Sequence, residues 1–161
     1  MIGIIAKKKD IQAIKKELPI KNIELIEITR ESIENLKNVK FEEIIFLQDI
    51  KLKENEYKFM KDIITKAEYL IINADIEIET LKKIEIEKPI KLITFGFNSK
   101  ATITISSVKE EKIIVCLQRD IERLDKKYIE VQEKEIEISN EKTKKIYNKL
   151  VVFIIKELHN L

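Results

Sequence analysis

The first 96 residues alternate between short apolar runs and amphipathic stretches, and this order restricts the chain to a small set of folds. Apolar runs typical of strands occupy residues 1–6, 23–28, 42–48, 69–73 and 90–96. Stretches with helical spacing separate them, at residues 10–18, from residue 32, at 54–67 and at 78–84. Strands joined by right-handed helical crossovers run parallel. The alternation therefore predicts a mostly parallel sheet with helices on both faces.

After Gly96 the pattern changes to one typical of antiparallel strands. Residues 101–108 alternate in polarity, residues 109–111 form a predicted turn, and residues 112–118 are apolar again, which predicts a hairpin. Residues 128–138 alternate as a further antiparallel strand. The sequence therefore predicts a single α/β domain over residues 1–161, in which a three-layer, mostly parallel, Rossmann-like sheet carries an antiparallel extension.

Polar residues and prolines mark the expected ends of several helices. Asp10 is a suitable N-cap for the first helix, and Pro19 is expected to end it. Ser32 begins the second helix, and Ser139 or Asn140 caps the last one. The apolar face predicted for this last helix, which reaches Leu158, consists of Ile146, Leu150, Phe153, Ile154 and Leu158.

Charge and composition exclude several kinds of partner. The chain carries 31 basic and 29 acidic residues, with the two signs interspersed, so no basic stripe for nucleic acid is expected. No stretch approaches the roughly 20 apolar residues that span a bilayer, and the apolar residues before Lys7 are too few for a signal peptide. The single cysteine, Cys116, lies in an apolar run and is expected to be a small core residue. We therefore expect a cytoplasmic protein without disulfides or membrane contact.

The scarcity of glycine limits the chemistry that the chain can perform. Gly3 and Gly96 are its only glycines, so neither a GxGxxG fingerprint nor a GxxxxGK(S/T) phosphate loop is present. Hydrolysis of ATP by the usual phosphate-loop chemistry is therefore excluded. One histidine and one cysteine cannot form the usual metal sites or a nucleophile–histidine pair, and His159 is expected to be a plain surface residue near the chain end. We expect no catalytic residue, metal or cofactor, which favours a role other than catalysis but leaves enzyme activity open.

Five short motifs nevertheless follow one another in a recognisable order. They are Glu27 in LIEITRES, Gln48 and Asp49 in FEEIIFLQDIKL, Glu56-Tyr57 with Lys61 four residues beyond the tyrosine, Asn73-Ala74-Asp75, and Thr94-Phe95-Gly96-Phe97-Asn98 followed by Ala101. This series resembles the central, ATP-binding domain of the Mur ligase family, which joins amino acids to cell-wall precursors. The resemblance covers most of the chain and implies the same α/β domain.

The resemblance also implies roles for particular residues. Lys61 matches the lysine that some members carbamylate to hold magnesium, Glu27 matches another residue on the magnesium side, and Asn73 matches an adenine contact. The chain departs from the family where MIGIIA runs into Lys7-Lys8-Lys9 without a phosphate loop, and where Ile76 replaces the second acid of the Asn-Ala-Asp-Asp motif. Purely structural roles are the alternative: Lys61 as a solvated helix residue, Asn73 and Asp75 as a strand-end cap, and Gly96 as a turn residue with positive φ.

Two main hypotheses of function follow. The first is a non-catalytic interaction or regulatory module in a bacterial cytoplasmic assembly. The second is a small-ligand domain for an adenine nucleotide or a cell-wall precursor, because ligands of open α/β sheets bind at the carboxyl ends of the strands. The candidate ligand-binding residues are Glu27, Lys61, Asn73, Asp75, Thr94 and Asn98.

A third hypothesis is a subunit whose partner, another protein or a second copy, completes a site. Val151 and Ile155, expected to be exposed on the closing helix, would then be covered by that partner.

Overall fold

The fold is an eight-stranded sheet with helices on both faces and a small two-stranded sheet beside it. The computed structural model describes residues 1–18, 23–138 and 144–161. The strands are β1 (Ile2–Ile5), β2 (Leu25–Glu27), β3 (Glu43–Phe46), β4 (Tyr69–Asn73), β5 (Lys91–Gly96), β6 (Ile103–Val108), β7 (Lys112–Leu117), β8 (Ile121–Glu122), β9 (Tyr128–Ile129) and β10 (Gln132–Glu137). The helices are α1 (Lys8–Glu17), α2 (Ile33–Leu36), α3 (Tyr57–Ile64), α4 (Glu79–Lys82) and α5 (Lys144–His159), and a 3-10 turn at Glu54–Glu56 precedes α3.

The order of strands confirms the predicted fold class. The large sheet has the order β10-β7-β6-β5-β4-β3-β1-β2. Strands β1 to β6 pair in parallel, whereas β7 pairs antiparallel with β6 and with β10. A parallel sheet with an antiparallel extension is therefore present, with helices as the outer layers.

The strands at the centre of the sheet are buried on both faces, which explains their continuous apolar runs. On one face, Ile4 and Ile45 belong to a cluster that includes the apolar residues of α1 and α5. On the other face, Ile5 and Ile44 belong to a second cluster formed with α2, α3 and the residues around α4. Successive residues of each strand thus supply two separate cores.

Two predicted boundaries in the strand and helix pattern were wrong. The predicted strand at residues 128–138 is two strands, because β9 pairs with the unpredicted β8 while β10 pairs with β7. Helix α1 begins at Lys8 with Lys7 at the N-cap, so Asp10 lies inside the first turn and does not cap the helix. Oδ1 of Asp10 accepts a hydrogen bond from Asn148 of α5. The predictions for Pro19, Ser139 and Asn140 fall outside the described residues.

The last helix, α5, buries more of its surface than predicted. Val151 and Ile155, expected to be exposed, are both fully buried in the cluster between α5 and the sheet. The cause is that α5 packs against α1 as well as against the sheet, so apolar residues are buried over most of its circumference. Cys116, expected in the core, is half-buried, because its neighbours Val115 and Leu117 point toward α5 and Cys116 points to the opposite face.

The link between β5 and β6 is unusually short for two adjacent parallel strands. Strand β6 pairs with β5 only where Phe95 meets Ile103 and Gly96 meets Thr104. Because β6 begins where β5 ends, a few residues suffice in place of a helical crossover. The first half of β5 consequently has no strand beside it on this edge among the described residues.

None of the described helices has the length and apolar character that crossing a bilayer requires.

Candidate functional site

Asp75 is the centre of the polar cluster at the carboxyl ends of β4 and β5. Its Oδ2 accepts hydrogen bonds from the backbone N–H of Phe97 at 2.6 Å and from Oη of Tyr147 at 2.9 Å. Its Oδ1 accepts one from the backbone N–H of Asn98 at 2.8 Å. One carboxylate therefore connects the end of β4, the loop after β5 and the helix α5.

Gly96 allows this carboxylate to approach the backbone. Its φ of +144° is one that residues with a side chain rarely adopt, and a Cβ added there would lie 2.4 Å from Oδ2 of Asp75. The prediction that Gly96 is a turn residue with positive φ is confirmed. The Asp75 side chain thus occupies the space directly beside this turn.

The other predicted residues at these strand ends also bond within the protein. Oδ1 of Asn73 accepts a hydrogen bond from the backbone N–H of Asp75 at 3.0 Å, which is the strand-end cap given above as the structural alternative. The backbone N–H of Thr102 donates to Oγ1 of Thr94 at 2.9 Å, and the N–H of Thr94 donates back to Oγ1 of Thr102 at 3.3 Å. Oδ1 of Asn98 accepts from the N–H of Lys100 at 2.9 Å. Asn73, Asp75, Thr94 and Asn98 therefore hold their own loops in place.

Glu27 and Lys61 lie away from this cluster. Glu27 ends the edge strand β2, which β1 and β3 separate from β4. Lys61 lies on α3 and forms an ion pair with Glu87 at 2.6 Å, and this hydrogen bond raises the pKa of Lys61. A protonated amine is not a nucleophile, so the ion pair opposes the carbamylation that the family resemblance implies.

Asp49, at the end of β3, is a second carboxylate that anchors neighbouring backbone, as Asp75 does after β4. Its carboxylate accepts hydrogen bonds from the backbone N–H groups of Ile50, Glu79 and Thr80 at 2.9, 3.1 and 3.3 Å. Two of these N–H groups belong to the first turn of α4, where intrahelical acceptors are lacking. Asp49 thus fixes α4 against the sheet, a role that its position in the sequence does not reveal.

Tyr147 and Glu43 were not predicted as site residues. Burial and the hydrogen bond to Asp75 raise the pKa of Tyr147 to about 12, so the hydroxyl remains a donor over the physiological range. Glu43, at the opposite end of the sheet, is fully buried, and its Oε1 lies 2.6 Å from Nε2 of His159. His159 is therefore not the plain surface residue that was expected.

Two cavities of ligand size lie outside the predicted cluster. One, of about 380 Å³, lies between α1 and α5 and is named here the basic groove. Its lining residues are Lys9, Gln12, Ala13, Lys16, Glu17, Lys145, Asn148 and Lys149. The second, of about 270 Å³, lies beside the unpaired first half of β5 and is named the β5 cavity. Its lining includes Lys91, Leu92, Arg119, Glu122 and Tyr128.

The positive charge of Lys91 in the β5 cavity is already paired with acidic groups of the protein itself. Burial would lower the pKa of Lys91, but hydrogen bonds to Glu68, Glu122 and Tyr69 outweigh this effect and raise it. Arg119 and Tyr128, by contrast, have no side-chain hydrogen bond or ion pair within the described part of the chain. A ligand in this cavity would therefore contact the guanidinium and the phenol.

Among the residues that the structure describes, no three His, Cys, Asp or Glu side chains are grouped so that they could hold a metal ion. Comparison with protein-family models and with curated protein sequences yields no match for this chain. The relationship to the Mur ligase central domain is therefore a hypothesis that rests on the motifs quoted above.

Proposed function

We propose that this chain is a non-catalytic relative of the Mur ligase central domain that binds a protein partner within a bacterial cytoplasmic assembly. The observation that carries this proposal is the bonding of Asp75. Its carboxylate accepts three hydrogen bonds from Phe97, Asn98 and Tyr147, and it fills the space beside Gly96. An acid used in this way supports a loop and is not available to hold magnesium or a substrate.

The chain also lacks the other groups that phosphoryl transfer requires. Such catalysis depends on a loop that positions the phosphates and on cations that neutralise the developing charge. The chain has no glycine-rich loop after β1, and Lys61 is paired with Glu87 on another part of the surface. These two features support the non-catalytic part of the proposal.

Apolar side chains exposed beside Asp75 support the protein-binding part of the proposal. Ile76 and Phe97 flank Asp75, and each is 39% exposed. The Phe97 ring makes an edge-to-face contact with Tyr147, with ring centroids 5.8 Å apart. Aromatic residues held rigidly at the surface are enriched at protein interfaces. Exposed apolar residues in this arrangement suit a contact with another protein better than the enclosure of a small molecule.

A thermal-shift screen against ATP, ADP, adenosine, Mg²⁺ and cell-wall precursors tests this proposal. A ligand that binds the native state raises the melting temperature by mass action, so we expect no shift with any of these compounds. A shift that Asn73→Ala abolishes and Asn38→Ala leaves intact would instead establish ligand binding at the strand ends. ATP turnover that Lys61→Ala abolishes, with Lys58→Ala on the same helix as the control, would overturn the non-catalytic assignment.

The β5 cavity favours a second candidate function, the binding of a small ligand. Tyr128 is 64% exposed and Leu92 is 54% exposed, and both lie beside Arg119 in this cavity. An aromatic or apolar group on Tyr128 and an anionic group on Arg119 are the contacts that this lining offers. The same screen tests this candidate, since a shift with adenosine or ADP that Tyr128→Ala removes, but Tyr57→Ala does not, would support it.

A further inference from the structure

The basic groove concentrates positive charge in a chain that is otherwise nearly neutral. Four lysines and one glutamate line the groove, an excess of three positive charges, whereas the whole chain carries +2. The lysines on the α1 side, Lys9 and Lys16, are both exposed. The groove is therefore a part of the described surface that offers charge complementarity to an anionic partner.

Acidic side chains of the protein itself neutralise only part of this charge. Lys149 forms an ion pair with Glu17 at 2.8 Å, and the amide of Asn148 donates to Asp10 at 3.2 Å. Lys9 and Lys16 have no acidic partner within 4 Å in the described part of the chain. Some lysines elsewhere, such as Lys112 with Glu135, are paired with a glutamate.

Asn148 adds a second, independent observation in the groove. It is 4% exposed, and its Oδ1 is buried without a hydrogen-bond partner among the described residues. Rotating the amide would bring Oδ1 toward the carboxylate of Asp10, so the donor to Asp10 sets the amide orientation. A buried acceptor without a hydrogen-bond donor is unusual in a folded protein.

The spacing of the lysines indicates the shape of the anionic partner. Lys9 and Lys16 are seven residues apart on α1, which corresponds to about 10 Å along the helix axis. Residues i and i+7 on any other α-helix are the same distance apart and lie on one face. A third helix can also pack its ridge of side chains along the groove between two helices.

We propose that the basic groove binds an acidic helical segment of a protein partner, with carboxylates at positions i and i+7 opposite Lys16 and Lys9. This inference rests on the proposed function, the binding of a protein partner, and adds to Ile76 and Phe97 a second contact surface with its own chemistry. The uncharged residues Gln12 and Ala13 lie between the two lysines along α1, and the small side chain of Ala13 leaves room for the partner's side chains.

Binding of a labelled peptide to the full chain, measured by fluorescence anisotropy, tests the inference. The probe is an alanine-based helical peptide of about 16 residues with glutamates seven positions apart, and its matched control carries glutamines there. We expect the glutamate peptide to bind at least tenfold more tightly at low salt and to lose this advantage as NaCl screens the charges. Equal binding of the two peptides, or binding of neither, would overturn the inference.

Variants of the groove locate the binding site. Lys9→Ala with Lys16→Ala should weaken binding of the glutamate peptide at least tenfold, whereas Lys51→Ala with Lys127→Ala, two exposed lysines elsewhere, should leave it unchanged. All four lysines are exposed, so the variants should fold like the parent chain. In the reversed pair, Lys9→Glu with Lys16→Glu should bind a peptide with lysines at the two positions and reject the glutamate peptide.

Other occupants of the groove would give different results. Displacement of the peptide by inorganic tripolyphosphate at matched ionic strength would show a site for small polyanions and overturn the helical partner. Self-association in sedimentation that the Lys9 and Lys16 substitutions abolish would identify a second copy as the occupant. If the glutamate peptide does not bind, the result of the thermal-shift screen with nucleotides is unaffected. If a nucleotide binds in that screen, the proposed function is overturned whether or not the peptide binds.

Discussion

Asp75 and Gly96 form a close contact at the carboxyl ends of β4 and β5. The carboxylate reaches its three donors only because no side chain at position 96 stands in its way. The positive φ of Gly96 also directs the loop of Phe97 and Asn98 back toward Asp75. Glycine at this position is therefore required twice, for its backbone conformation and for its lack of a Cβ.

Replacing Gly96 with alanine should lower the free energy of unfolding by about 1–3 kcal/mol, because alanine strains the positive φ and contacts Asp75. Urea unfolding of the four members of a Gly96→Ala and Asp75→Ala double-mutant cycle separates the two causes. The cost of Gly96→Ala should be smaller in the Asp75→Ala background. An equal cost in both backgrounds would show that contact with the carboxylate contributes nothing.

The buried pair of Glu43 and His159 is a second feature at the scale of single residues. Burial raises the pKa of Glu43, and the hydrogen bond from His159 opposes this rise without cancelling it. Oε2 of Glu43 has no hydrogen-bond partner among the described residues. The ionised form of Glu43 is therefore poorly solvated in the folded chain.

The raised pKa of Glu43 predicts a pH dependence of stability. The stabilisation from its bound proton is fully present below the ordinary pKa of 4.5 and is lost as the pH rises through the folded-state value. Glu43→Gln removes this titration, so the stability of the variant relative to the parent should increase from pH 4.5 to pH 8. Urea unfolding across this range measures it, with the exposed Glu133→Gln as control, and a constant difference would contradict the assignment.

Helix α5 is the element that joins the two halves of the sheet. Its apolar residues contact a cluster that includes β1 and β5 of the parallel part and β7 of the antiparallel part. Tyr147 connects the start of the helix to Asp75, and His159 connects its end to Glu43. Tyr147 thus attaches the helix at the carboxyl ends of the parallel strands, and His159 attaches it at their amino ends.

The burial of Ile155 predicts a large effect of a substitution at a position that helical spacing assigned to the surface. Ile155→Ala should lower the free energy of unfolding by about 2–5 kcal/mol, as expected for a truncated isoleucine in a core. Val131→Ala, at a position that is 58% exposed, should change it by less than about 0.5 kcal/mol. Similar effects of both substitutions in urea unfolding would place Ile155 at the surface after all.

At the scale of the whole molecule, one apolar cluster extends across the parallel and antiparallel parts. It includes Ile2 and Ile4 of β1, Val115 and Leu117 of β7, and Ile129 of β9. The strands between them belong to the same continuous sheet. On this face the parallel and antiparallel parts share one core. Unfolding of either part would therefore expose apolar residues of the other.

The shared core predicts that the chain unfolds in a single cooperative transition, as the prediction of one domain over residues 1–161 requires. Far-UV circular dichroism follows the backbone. Because the chain has no tryptophan, tyrosine fluorescence follows its four tyrosines, of which Tyr69 is buried. The two signals should give the same urea midpoint. Separate midpoints would show that the antiparallel extension unfolds independently.

The sequence by itself determined the alternation of strands and helices, because hydrophobic periods of 2 and 3.6 residues are local properties of the chain. It also excluded a phosphate loop, since such a loop needs two glycines five positions apart and the only glycines are Gly3 and Gly96. Only the tertiary structure decided that Asp75 bonds to Tyr147, 72 residues away, and Glu43 to His159, 116 residues away. The same holds for the burial of Ile155, because whether an apolar residue is covered depends on packing between distant elements. Periodicity indicates which face of an element is apolar. A bond between two distant side chains depends instead on where the fold places both residues.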